Sequence, residues 1–223
     1  MATLSSTGNT AGDETRAQLI EAATTIFLRD GFRAARVKDI AAEAVVRLSA
    51  INYHFGGKDG LYLAVLQHHA MLALAHAPIP EARPGVPVEQ RFAEFVRAMV
   101  YRMLDPASPS RLPPLMIREA VNPTEALDVM FERFTRPLQA VLIGQLREIF
   151  GPDASEAVLA RAALSVLGQG MVYVVARPLV AKLHPEFYGQ EADVATLADH
   201  IVAFSWAGVQ AVAEAERKKH GKA

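Results

Sequence analysis

The chain has 223 residues, a formal net charge of −1 and no cysteine. That length supports one large or two modest domains that bury roughly 70–75% of the unfolded surface, so folding requires neither disulfide nor metal. Lacking cysteine, it has no disulfides, thiol nucleophiles or cysteine-ligated zinc, and its near-neutral charge excludes a uniformly basic body built to coat a polyanion. The hydrophobic fraction is 51%, yet no uninterrupted apolar run approaches the ~18 residues of a membrane span, and no membrane association is expected. The opening MATLSSTGNTAGDE is small, polar and acidic. It reads as a disordered lead-in over residues 1–13 and not as a signal peptide, consistent with a cytoplasmic protein.

Thr15 and Gln18 have capping-box spacing and predict the start of the first helix. Leu19, Ala22, Ala23, Ile26 and Phe27 continue it with helical period, and Asp30-Gly31 stops it. A second helix is expected over 37–44 and a third over about 47–54. Gly56-Gly57 then breaks the chain before a long fourth helix from Lys58 to about Ala77. PIPEARPGVP (78–87) cannot be helical throughout. VEQRFAEFVRAMVYRMLD (88–105) is amphipathic, and PASPSRLPP (106–114) is a second break. A short helix is expected at 115–122. Pro123-Thr124-Glu125 starts a long one bent at Pro137. Asp153 to about Arg177 is a further helix, ended or kinked at Pro178. A loop near His184–Gln190 precedes the last helix, from about Asp193 to Lys219. No period-2 alternation and no repeat is visible. The expected fold is all-α with about nine helices: a three-helix head at 14–60 on a larger helical domain at 61–223.

Residues 40–58, IAAEAVVRLSAINYHFGGK, carry the chemistry. Two short helices meeting at a tight turn form a helix-turn-helix whose second helix suits the DNA major groove. Ile40 and Ile51 can face each other across the turn, and Ala41 and Ala44 allow close crossing. Phe55, four residues after Ile51, packs back onto the first helix. Arg47, Ser49, Ala50, Asn52, Tyr53 and His54 remain at the outer side or ends of the third helix. In that geometry the early outward residues meet base edges, while Tyr53, His54 and Lys58 meet phosphates. Arg33, Arg36, Lys38, Arg47 and Lys58 oppose only Asp39 and Glu43 in this stretch, a local charge of +3. A basic patch on a near-neutral chain suits site-specific binding of double-stranded DNA, with Arg36 and Lys38 beside the reading helix.

TRAQLIEAATTIFLRDGF, VKDIAAEA and INYHFGGKDGLYLAVL, spanning about residues 15–66, resemble the N-terminal domain of TetR-type transcriptional repressors. REAVNPTEALD (118–128), RPLQAVL (136–142) and SVLGQGMVYVVARPLV (165–180) more loosely resemble the C-terminal domain of the CecR-like branch. The resemblance implies a homodimer, a three-helix head on a fourth helix, and a C-terminal domain that binds a small-molecule inducer. One departure matters. The family usually places glycine and then a small polar residue at the turn, where this chain has Val45-Val46-Arg47. A β-branched residue is strained at positive φ, so the turn must change shape or carry strain. Arginine also cannot cap a helix as serine does, which leaves Arg47 for a base or phosphate.

In the C-terminal part, the last helix has apolar side chains around nearly its whole circumference, so one side can face its own core and the other a partner. Ile201, Phe204, Gly208 and Val212 are the candidate dimer contacts. Gln169 lies between Gly168 and Gly170 in an apolar run. As a buried amide it lines a pocket, bonds across the dimer or satisfies neighbouring backbone. Tyr101, Phe131, Phe134 and Tyr173, with Met116 among the methionines, supply adaptable apolar surface for a ligand or for the core. Arg118 and Glu119, ahead of a proline-containing turn, read as a solvated pair or a helix-end contact, with Arg118 the first candidate for an anionic inducer group. Of the adjacent His68 and His69, His68 is the candidate for the pocket side, against a satisfied or exposed histidine. Nothing has metal-ligand spacing, and no cofactor is expected.

The leading expectation is therefore a ligand-responsive repressor that binds a palindromic operator as a dimer. An enzyme is disfavoured because no G-x-S-x-G, no phosphate-cradling glycine loop and no cysteine nucleophile is present. The rival is a helical small-molecule-binding or interaction module whose DNA binding is weakened by the Val45-Val46-Arg47 turn.

Overall fold

The computed structural model describes residues 10–80, 85–188 and 191–220. They are all-α as expected, with no strand among them: α1 Thr10–Ala34, α2 Val37–Glu43, α3 Ser49–Phe55, α4 Lys58–His76, α5 Val88–Leu104, α6 Leu112–Val121, α7 Ala126–Met130, α8 Arg136–Phe150, α9 Glu156–Val175, α10 Arg177–Leu183 and α11 Glu191–His220. The expected nine become more because two long helices are each broken in two. Pro137 has no N–H for the Arg133 carbonyl, and the ladder ahead of it widens into a π turn at Phe131–Thr135, so the expected bend separates α7 from α8. Ala176 leaves helical geometry one residue before Arg177-Pro178, which separates α9 from α10.

Three starts also shift. Helix α1 begins at Thr10 and not at Thr15, whose hydroxyl donates to the Ala11 carbonyl from inside the helix at 2.9 Å. Residues 10–13 of the expected lead-in are thus helical, with Asp13 suitably placed in the positive first turn. Residues 1–9 lie outside the described residues. Helix α6 starts earlier than expected because Pro113 and Pro114 fall in its first turn, where a missing N–H breaks no bond. Helix α9 starts later, at the Ser155 cap, whose oxygen accepts from Val158 N.

The chain forms two compact units, and they interleave in sequence. The first gathers the residues up to His69 together with Pro114–Leu127; the second holds Ala70–Pro113 and the residues from Asp128 onward. The contiguous split expected at residue 60 misses this, because α6 is tied to α1 and α4 by side-chain bonds described below.

In the N-terminal unit, Leu19, Ala23, Ile26 and Phe27 of α1 bury one stripe, with Ile40, Ile51 and Leu61 from the next three helices. Phe27 and Tyr62 stack edge to face with ring centroids 4.9 Å apart. Gly31, at φ 76°, ends the straight part of α1 where a side chain would be strained. Gly60 permits the closest approach in the head: a β-carbon there would lie 1.9 Å from the Phe55 carbonyl oxygen.

In the C-terminal unit, α5, α8, α9 and α11 pack around Phe92, Phe95, Leu142, Leu146, Leu159 and Ala198. The end of α4 is fastened in this unit by Arg102, which donates to the Ala77 carbonyl at 2.7 Å, and by the His76–Asp105 pair at 2.6 Å. Burial lowers the Arg102 guanidinium to about 10.

Candidate nucleic-acid interface and regulatory core

The turn keeps its left-handed shape and carries the strain. Val45 has φ 55°, and its N–H donates to the Ala42 carbonyl while Val46 N–H donates to the Ala41 carbonyl. That pair of bonds is a Schellman closure, with valine at the position glycine normally takes. Left-handed backbone costs an L-residue roughly 1–2 kcal/mol, and β-branching adds crowding. Val45 is 91% exposed, so packing within the unit offsets little of this, whereas Val46 is half-buried over buried Ala41. Arg47 is exposed and does not cap: α3 begins from Leu48 with no side-chain cap.

Helix α3 buries Ile51 and turns Ser49, Asn52 and Tyr53 to solvent, with Ala50 and His54 half-exposed. Phe55 is half-buried under Arg16 of α1, whose guanidinium carbon lies 5.3 Å from the ring centroid. Arg36 and Lys38 are exposed at the start of α2. Lys58 is more committed than a free phosphate contact, because its ammonium donates to the Arg33 carbonyl at 3.2 Å and sits 4.7 Å from the Phe32 centroid. It fixes the α1–α2 corner while keeping its charge beside the reading helix. The outward face of α3 thus offers hydroxyl, amide, phenol and imidazole groups, with arginine and lysine around them. It has the inventory for base edges ringed by phosphates.

Two residues read from sequence as solvated or ligand-facing prove structural. Glu119 is 1% exposed, and its carboxylate accepts from Tyr62 Oη at 2.8 Å, Thr124 N at 2.6 Å and Thr124 Oγ1 at 2.9 Å. Burial, then the Glu119 bond, pushes the Tyr62 phenol above its ordinary value. Arg118, read as a helix-end contact or as the candidate for an inducer anion, donates to the Leu28 carbonyl at 2.6 Å near the end of α1. There a guanidinium suits the negative end of the helix dipole. Met116 is half-buried in this same unit. His68 is exposed beside Asp13, Arg16 and Glu21 of α1 and lines an open surface groove. Its neighbour His69 is the buried one, 3.0 Å from Thr24 Oγ1. Helical spacing explains the swap: Tyr62, Val65, Leu66, His69 and Ala73 share the buried stripe of α4.

The remaining ligand candidates lie in the C-terminal unit but not on one wall. Tyr101 and Tyr173 are half-buried against the core, and Tyr188 Oη donates to the Tyr173 carbonyl at 2.7 Å. Phe134 is half-buried, whereas Phe131 is exposed on the π turn with Arg136 4.9 Å from its ring centroid. Gln169 uses its amide N–H groups inside the protomer, on Ser205 Oγ at 2.7 Å and the Ser165 carbonyl at 3.4 Å. Of its three possible roles, the neighbouring-backbone one is met by the Ser165 carbonyl, whereas the shorter bond to the Ser205 hydroxyl is not among them. A residue not anticipated from sequence is Gln145, which is buried with Oε1 lacking any partner among the described residues. The signal was there: in RPLQAVLIGQLREIF it sits on the apolar stripe beside Leu146 and three residues past Leu142.

Helix α11 separates its two sides cleanly. Ile201, Ser205, Val209 and Ala213 are buried, so Ile201 belongs to the protomer's own core and not to a partner-facing surface. Phe204 (64% exposed), Gly208 and Val212 line the opposite side. Leu164, Met171, Val172 and Val175 of α9, then Leu179 and Leu183 of α10, are further exposed apolar side chains. Helix α9 is also long and apolar enough to cross a membrane by length and composition alone. No uninterrupted apolar run marks it, because Arg161 and Gln169 interrupt the segment without lowering its average far.

Comparison with known proteins agrees with this architecture. Residues 19–65 match the family described as bacterial regulatory proteins, tetR family, and residues 88–209 match the C-terminal domain of the HTH-type transcriptional dual regulator CecR. The chain is 30% identical over 156 residues to the HTH-type transcriptional dual regulator CecR of Shigella flexneri, covering 65% of this chain and 69% of that protein. It is 46% identical over 57 residues to the HTH-type transcriptional activator FasR of Mycolicibacterium smegmatis, 26% of each chain. A transcriptional regulator of Rhodococcus sp. Rha1 shares the fold at TM-score 0.61 and 20% identity, over 90% of this chain and 98% of that one. The chain belongs to the TetR family of bacterial transcriptional regulators, and its C-terminal domain is of the CecR type.

Proposed function

We propose that this regulator is a ligand-responsive repressor that binds a palindromic operator in double-stranded DNA as a homodimer and is released by a small-molecule inducer. The observation that carries the reading is the outward face of α3, closed onto α2 by a complete Schellman turn and ringed by Arg36, Lys38 and Arg47. Two such helices in one dimer enter successive major grooves about 34–36 Å apart. The exposed apolar side chains of α9 and α11, Phe204 and Val212 among them, support pairing of two copies through that face. A dimer seated across a palindrome obstructs other proteins there and needs no further contact surface, which favours repression over activation. A role on chromosomal DNA implies a bacterial cytoplasmic protein.

An inducer acts only by binding two states of the protein unequally. Helix α4 runs without a break from Lys58 to His76, through the residues at which the two units are divided, and is the natural carrier of such a change. The second reading, a ligand-binding module with weakened DNA affinity, draws on the strain at Val45. Fluorescence anisotropy decides between them, using DNA from upstream of the protein's own gene, a scrambled control and a palindromic library across a salt series. Selective binding with a steep salt slope supports the regulator; equal, weak binding to every probe supports the module.

A further inference from the structure

Helix α8 buries Leu142, Gln145, Leu146 and Phe150, one stripe at helical spacing with an amide in it. Four polar side chains of the C-terminal unit are buried among the described residues: Asp105, Ser110, Gln145 and Ser205. Three have their partners inside the unit. Asp105 accepts from Ala107 N and pairs with His76, Ser110 Oγ accepts from Leu112 N, and Ser205 Oγ bonds Gln169. Gln145 Oε1 alone is unmatched. A buried carbonyl oxygen without a donor is a net penalty to the fold, and a leucine at this place on the stripe would remove it. Stability therefore does not account for the glutamine.

We propose that Gln145 is the polar anchor of the inducer site, its Oε1 accepting a hydrogen bond from a neutral, largely apolar molecule that carries one O–H or N–H donor. The inference rests on reading the C-terminal unit as the ligand-sensing part. The chemistry of the surroundings sets the class of molecule. Helices α5, α9 and α11 all pack on α8, and the shared core is aliphatic and aromatic, with Phe92, Phe95 and Phe150 its largest members. The one buried carboxylate of the unit among the described residues, Asp105, is already committed to His76. The Arg102 guanidinium is likewise committed, to the Ala77 carbonyl, so a charged ligand would find no uncommitted counter-ion there, and burying an ion without one is prohibitive. A ligand with two or more donors would leave the surplus unpaired. A flat ring system with a single N–H or O–H meets both limits.

Indole and indene form the matched probe pair, close in shape and differing in the N–H donor. Their dissociation constants are measured by NMR titration on the full chain and on Gln145→Leu, with Gln145→Met as a second variant in case leucine does not fold. The expected result is binding of indole about tenfold tighter than indene by the unsubstituted protein, and a ratio near one in either variant. Without ligand, each variant is expected to melt no lower than the parent. Equal or absent binding of the two probes by the parent would overturn the proposal. So would a preference that survives substitution, or a melting point lowered by several degrees, which would mark Gln145 as an already satisfied structural group. The titration involves no DNA, so failure of operator binding with the indole preference intact would count against the regulator reading alone.

Discussion

The two units spend their polar groups differently. In the N-terminal unit, long-range ties are explicit and short: Glu119 to Tyr62 and Thr124, Arg118 to the Leu28 carbonyl, Lys58 to the Arg33 carbonyl and Thr24 to His69. The C-terminal unit has ties of its own, Arg102 to the Ala77 carbonyl, Asp105 to His76 and Gln169 to Ser205, but it is built on an apolar four-helix stack, leaves the Gln145 amide oxygen unmatched among the described residues and turns a second apolar face outward. Directional bonds fix a geometry, as a helix that must register against base edges requires. Apolar packing sets volume and proximity but tolerates repacking, which suits a part that must accommodate a ligand and a second copy. The strained turn fits this contrast, because the head holds Val45 in a conformation the residue disfavours.

The largest effect should come from the buried carboxylate. Glu119→Ala strands the Tyr62 hydroxyl and two Thr124 donors, and urea denaturation should show a loss of about 3 kcal/mol or more, against about 1 kcal/mol for Tyr62→Phe. Equal, small losses would mean the network does not fix the head. On the outward face of the C-terminal unit, Phe204→Asp should leave the protomer folded while weakening self-association by at least about 2 kcal/mol in sedimentation equilibrium. Ile201→Asp, in the core, should unfold the chain instead. For recognition, Asn52→Ala should lose about 1–3 kcal/mol and relax operator preference, whereas Lys38→Ala should weaken all sequences alike and lower the salt slope by about one. At the small end, Arg136→Ala breaks an exposed pair with Glu132 and should leave the urea midpoint almost unchanged. Arg136 holds the Glu132 carboxyl below its ordinary value, so that contribution is present at neutral pH and disappears as pH falls below the usual carboxylate range.

How far these features could be read from the chain depended on the distance between interacting residues. Periodicity and the glycines at 31 and 56–57 located the head, and the positive-φ problem at Val45 followed from three consecutive residues. Thr15 misled because a capping-box spacing is equally compatible with a residue one turn inside a helix. The π turn was not visible, because Pro137 announces a break in the ladder without saying whether the chain bends or widens. Which histidine of the pair is buried could have been read from its spacing to Tyr62, Val65 and Ala73. The roles of Arg118 and Glu119 could not: their partners Leu28 and Tyr62 lie 90 and 57 residues away, and no local pattern encodes such a contact.

Whether the reading head works despite its valine turn is tested most directly by operator anisotropy on the parent chain and Val45→Gly side by side. Glycine relieves the left-handed strain and should raise stability by about 1 kcal/mol. The account predicts that both proteins prefer the operator over scrambled DNA, with affinities within about threefold of each other, because the Schellman bonds already hold the turn in its working shape. A parent chain that binds both DNAs equally, beside a glycine variant that discriminates between them, would contradict it.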